Sequence, residues 1–156
     1  MKQFLLALFA CLLSVAGCSL RGSDDGSCGD REGLFIQTDD DSYQVGKRAT
    51  LTIENCTGQM LYIENDYGDT PPDYHLEKKV ANGWELVDSR AGGLGNGYKK
   101  IGEAQTQKFT AFTKPEEYLV DSIPGTYRYV LFIYEGEGAN RLPEEKRVSN
   151  TIEITE

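Results

Sequence analysis

Period-two alternation of apolar and polar residues is the feature that most constrains this chain. Ala49, Leu51 and Ile53 alternate with Thr50, Thr52 and Glu54. Successive side chains of a strand point to opposite faces, so this pattern builds one buried face and one wet face. Runs rich in β-branched and aromatic residues recur at 60–64, 74–80, 84–87, 107–112, 127–134 and 148–155, bounded by Gly, Pro, Asn or Asp. Asn82-Gly83 lies between two of them and signals a hairpin, because both residues tolerate positive φ. No helical period is sustained anywhere. About seven short strands at this spacing predict an all-β antiparallel sandwich.

The first residues follow a different rule. Met1-Lys2-Gln3 gives a positive start, an apolar run fills 4–13, and small residues precede Cys18. Together these describe a secretory signal peptide, with an apolar run well short of the roughly 20 residues that span a bilayer. The pattern divides the chain into a cleaved signal peptide (1–17), a tether rich in Gly, Ser and Asp (18–32), and a folded unit (33–156). Val15-Ala16-Gly17-Cys18 resembles the lipobox of bacterial lipoproteins. The resemblance implies cleavage before Cys18, a diacylglycerol on its sulfur and an acyl chain such as palmitate on its amino group. It places the protein on a cell membrane or outer membrane, facing periplasm or exterior. Ser19, rather than Asp, resembles an outer-membrane signal. Each buried methylene adds about 0.8 kcal/mol, so several chains anchor a protein unaided.

The formal net charge is −9, and loss of Lys2 with the signal peptide makes it −10. Phosphate backbones repel such a surface, which argues against nucleic acid as partner. A polybasic membrane contact is disfavoured too. The length suits one domain. With Cys11 in the signal peptide and Cys18 lipidated, Cys28 and Cys56 remain as one pair in an oxidising compartment. A disulfide is the expectation. The rival is a metal site of both thiolates with His75, although the pair lacks C-x-x-C spacing. Asp24-Asp25 and Asp39-Asp40-Asp41 read as solvated loops, without the spacing of a calcium loop.

Ile123-Pro124-Gly125-Thr126-Tyr127-Arg128 resembles the start of strand F in bacterial immunoglobulin-like domains. The resemblance implies a tyrosine corner at Tyr127, its hydroxyl bonding back to backbone near the turn. Ser42-Tyr43-Gln44-Val45-Gly46 with Leu51-Thr52-Ile53-Glu54-Asn55 is similar to strands A′ and B, and His75-Leu76-Glu77-Lys78 with Asn82-Gly83-Trp84 to the central hairpin. Ser149-Asn150-Thr151-Ile152-Glu153-Ile154 is similar to the last strand. The expected fold is therefore an immunoglobulin-like sandwich. It departs from the antibody pattern, since the F candidate has no Cys and Trp84 follows the hairpin turn. A Cys28–Cys56 bond would tie the segment before strand A to the end of strand B.

No enzyme signature stands out, and no cofactor is implied. His75, the only His, must serve any nucleophilic site, yet it alternates with Tyr74 and Leu76 and so faces solvent if they face the core. Acidic residues are abundant, and no pair is distinguished as glycosidase-like. Gly92-Gly93-Leu94-Gly95-Asn96-Gly97 lacks a GK[ST] ending and reads as a flexible loop, followed by the locally basic Tyr98-Lys99-Lys100. Small envelope lipoproteins that inhibit lysozymes or proteases plug clefts with such loops, and the intracellular proteinase inhibitors of bacilli show a similar Trp and Gly-turn pattern. Nine Tyr against one Trp is a strong bias, and Tyr62, Tyr67, Tyr74, Tyr98 and Tyr118 are candidates for a contact face. Asn55-Cys56-Thr57 matches a glycosylation sequon, set aside because the lipobox implies a bacterial host. The expectation is a non-enzymatic, membrane-anchored interaction module. Its contact zone is the loops at 65–72 and 91–100, with Tyr67, Tyr98, Lys99 and Lys100 foremost. Its partner would be an envelope or secreted protein, or a glycan. The alternative is an inhibitor of a secreted hydrolase.

Overall fold

The computed structural model describes residues 28–66, 72–90, 96–115, 123–137 and 140–156; Cys18, Tyr67 and Tyr118 lie outside them. The described chain is all-β. Its strands are β1 (Gly33–Thr38), β2 (Ser42–Gln44), β3 (Arg48–Cys56), β4 (Leu61–Asp66), β5 (Tyr74–Val80) and β6 (Gly83–Arg90). They continue with β7 (Asn96–Ile101), β8 (Gln105–Phe112), β9 (Gly125–Leu131), β10 (Ile133–Tyr134) and β11 (Ile152–Thr155), and a 3-10 turn covers Glu144–Lys146. Three sheets result, ordered β1-β3-β8, β10-β4-β7 and β2-β11-β9-β5-β6.

β3 is built as its alternation demands. Ala49, Leu51 and Ile53 are fully buried, while Thr50, Thr52 and Glu54 stay partly exposed. β1 and β8 flank it on both sides, antiparallel. One core joins all three sheets. Ile36, Leu51 and Phe109 come from the first, Leu61, Ile63, Ile101 and Ile133 from the second, and Tyr74, Leu76, Tyr129, Leu131 and Ile152 from the third-named, five-stranded sheet. Each such side chain contributes about 1.5–3 kcal/mol on burial.

Among the described residues the strands number eleven, where about seven were expected, for local reasons. The run 127–134 divides at Phe132, whose amide donates to the Asp73 carbonyl while its carbonyl accepts from the Glu64 amide. The chain there leaves the five-stranded sheet and joins β4. The β5–β6 hairpin turns on Ala81 and Asn82, and the positive φ (139°) falls on Gly83 alone, so the turn is not the type I′ that Asn-Gly suggests.

Cys28 and Cys56 form a disulfide with Cα atoms 5.6 Å apart, beside the Gly33–Cys56 pair that opens the β1–β3 ladder. Residues 28–32, expected as the end of a tether, are thus held against β3. Arg31 adds an ion pair to Glu54 at 2.5 Å and stacks on Phe35. Asn55 is fully buried and its amide is occupied, so it cannot act as a sugar acceptor in the folded chain. The turn that follows needs Gly58, whose φ of 74° is costly for a side chain with a Cβ.

Candidate functional site

The β10-β4-β7 sheet sorts its residues by register. Leu61 opposite Ile101, Ile63 opposite Lys99 and Asn65 opposite Gly97 alternate with Tyr62 opposite Lys100 and Glu64 opposite Tyr98. Leu61 and Ile63 are buried, so the second set forms the outer face. β10 places Tyr134 opposite Tyr62, giving a row Tyr134–Tyr62–Lys100 across three strands.

These side chains hold one another. The Tyr134 hydroxyl donates to Glu64 Oε2 at 2.7 Å. The Tyr98 and Tyr134 rings meet edge to face at 5.7 Å, and Lys100 Nζ lies 5.7 Å from the Tyr62 centroid. Burial pushes the Tyr134 phenol up to about 12, and the Glu64 carboxylate reinforces the shift. The phenol therefore stays a neutral donor at any physiological pH. Such a surface offers ring area, hydroxyl tips, one carboxylate and one ammonium without ordering a loop on contact, and cross-strand pairs of this kind each add roughly 0.2–1 kcal/mol to the sheet itself.

Tyr98, Lys99 and Lys100 are therefore not a projecting loop but the middle of β7. The period of a strand separates them. Tyr98 and Lys100 join the outer face, whereas Lys99 turns to the opposite side with Nζ 5.0 Å from the Phe109 centroid. The sequence hides this strand because its inward row is Gly97, Lys99 and Ile101, with only one apolar residue to mark a strand. Tyr62 lies on the outer face, opposite Lys100. Tyr74 does not: it is fully buried, stacked edge to face on Tyr129 at 5.4 Å. Tyr67 and Tyr118 lie outside the described residues. Tyr134 is hidden among the aromatics of its run, and its step from Ile133 is the alternation signal that marks it.

The Tyr127 hydroxyl donates to the Ile123 carbonyl four residues upstream, and burial pushes the phenol up to about 12. His75 is half-buried on the face opposite Tyr74 and Leu76, its ring edge-on to Phe132 at 4.8 Å. Burial lowers its pKa, and the nearby Arg141 guanidinium, itself stacked 3.8 Å over Phe132, lowers it further. The sulfurs of Cys28 and Cys56 are bonded to each other, and the carboxylate near them is Glu54 rather than the ring of His75. Glu54 is in turn held by Arg31.

No protein-family model matches the chain, and no curated protein matches it. Among solved structures it is similar to Pseudomonas fluorescens alkylpurine DNA glycosylase AlkC bound to DNA containing an abasic site analog. The identity is 12%, the TM-score 0.37, and the match covers 83% of this chain but only 32% of that one. The chain thus spans about a third of that structure's length, and a likeness at this level carries no argument about function.

Proposed function

We propose that this protein is a lipid-anchored, non-enzymatic interaction module of the bacterial cell envelope. An immunoglobulin-like sandwich presents the outer face of β4, β7 and β10 to a partner protein. Strand order supports the fold type: β1-β3-β8 and β2-β11-β9-β5-β6 share one core, and β2, which carries the A′-like Ser42-Tyr43-Gln44, pairs with β11, which carries the residues similar to the last strand. The Tyr127 hydroxyl bond back to Ile123 supports a tyrosine corner. The lipobox-like ending at Cys18 supports the anchor, and the net charge of −9 speaks against nucleic acid. The single observation that carries the reading is the gathering of Tyr62, Tyr98 and Tyr134 with Lys100 and Glu64 on one sheet face. Tyrosines of this kind dominate protein contact surfaces because they bring area and a polar tip at low entropic cost.

The test is capture from envelope and secreted fractions of cells that make the protein, comparing wild type with Tyr62→Ala/Tyr98→Ala/Lys100→Ala. A discrete partner lost in the variant, with the far-ultraviolet spectrum unchanged, supports the proposal. Undiminished capture by the variant refutes this face. If the partner is a secreted hydrolase and its activity falls on binding, the module acts as an inhibitor.

A further inference from the structure

We infer that a second surface, an acidic cleft walled by β1, the β3–β4 turn and the chain that follows β10, takes a short cationic segment of a partner protein, a lysine or arginine beside a leucine-sized side chain. β1 is the edge of one three-stranded sheet and β10 the edge of the other. The chain after β10 and the 3-10 turn close the third side. The cleft measures about 410 Å³, within the roughly 300–1,000 Å³ typical of ligand clefts.

Its floor and its rim differ in chemistry. Leu34, Leu61 and Leu142 supply apolar surface at the base, and Met60, 46% exposed, lies between two of the lining positions. Glu32, Glu135 and Glu145 line it against one cation, Lys146. Among the described residues these three carboxylates have no ion-pair partner. Four carboxylates elsewhere among the described residues are paired: Glu54 with Arg31, Asp88 with Arg90, and Glu77 and Glu144 with Arg128. Two unbalanced negative charges at the mouth of a leucine-floored recess favour an occupant that brings a cation and an apolar group together. The recess is also preformed. Gly33 pairs with Cys56 of the disulfide, and the Gln59 carbonyl accepts from Asn55, so an occupant need not order these walls. None of the outer-face tyrosines lines it, so the cleft stands apart from the proposed contact face.

The experiment is fluorescence anisotropy of a labelled Lys-Leu-Lys-Leu-Lys peptide with the full chain, its disulfide intact. Saturable binding that weakens roughly tenfold in Glu135→Lys/Glu145→Lys is expected, with less than about twofold change in Glu85→Lys/Glu156→Lys, which alters net charge equally outside the cleft. Equal weakening in both variants overturns the inference, since net charge alone would then attract the peptide. Equal binding of Lys-Ser-Lys-Ser-Lys overturns it as well, because the leucine floor would play no part. Self-association that Glu135→Lys/Glu145→Lys abolishes would assign the cleft to a second copy and also overturn it.

Discussion

Asn55→Asp is the most informative single substitution in this fold, because it keeps the shape of the side chain and changes only its hydrogen-bonding sense. Asn55 is fully buried near the end of β3. Its Nδ2 donates to the carbonyls of Gln59 (2.7 Å), Ile101 (3.0 Å) and Gly102 (3.1 Å). Its Oδ1 accepts from the Thr57 amide at 3.1 Å and hydroxyl at 2.7 Å. One side chain thus fastens the β3–β4 turn to the end of β7. Aspartate retains the Thr57 contacts but loses both N–H donors and sets an oxygen against three carbonyls. Losing the two N–H donors that serve these three carbonyls costs about 1–3 kcal/mol, and the unsatisfied carbonyls with a buried charge raise the total to about 3–5 kcal/mol. That is a large share of the roughly 5–15 kcal/mol typical of a domain. Urea unfolding followed by circular dichroism should show a lower midpoint at unchanged slope. The deficit should shrink as pH falls and the introduced carboxyl regains a proton to donate. A loss below about 1 kcal/mol would refute the network.

Replacing Cys28 and Cys56 by Ser together should cost about 3–4 kcal/mol by the chain-entropy relation for a separation of 28 residues, read as a lower melting temperature; an unchanged melt would mean that the β1–β3 edge holds without the bond. The His75 imidazole, kept below its ordinary 6.5 by burial and Arg141, binds a proton less readily folded than unfolded. Its contribution is fully present above pH 6.5 and is lost as pH falls through that value toward the lower folded one. His75→Gln should therefore flatten the stability curve below pH 6.5, and an unaltered curve would assign the acid sensitivity elsewhere. Cys18→Ser should abolish palmitate labelling and release the protein from membranes; retained labelling would contradict the anchor.

What could be read from the sequence tracks how strongly burial writes itself into periodicity. β3 was legible because its inward row is uniformly apolar, as Ala49, Leu51 and Ile53 show, and β5 because Tyr74 and Leu76 open its inward row before Lys78. β7 was not, since its inward row mixes Gly97 and Lys99 with Ile101, and the Lys99 ammonium over Phe109 stands where a hydrophobic residue would mark a strand. The break at Phe132 was invisible too, because a strand that changes sheets keeps its β-rich composition and reveals the change only through its hydrogen bonds. The tyrosine bias was apparent, but which tyrosines share a face depends on pairing register. Register brought Tyr134 to Tyr62 and Tyr98 and buried Tyr74 instead. Asn55 carried only the local hint of a polar residue before a Thr-Gly turn, and nothing local revealed its long-range partners at Ile101 and Gly102.

The proposed contact face is tested most directly by cross-linking in living cells that make the protein, with a photo-reactive phenylalanine at position 62 and, as control, at position 85 on β6. A discrete adduct from position 62, absent from position 85 and lost when Tyr98 and Lys100 are changed to Ala, is the predicted result. Adducts of equal yield at both positions, or from position 85 alone, would contradict the assignment of that face.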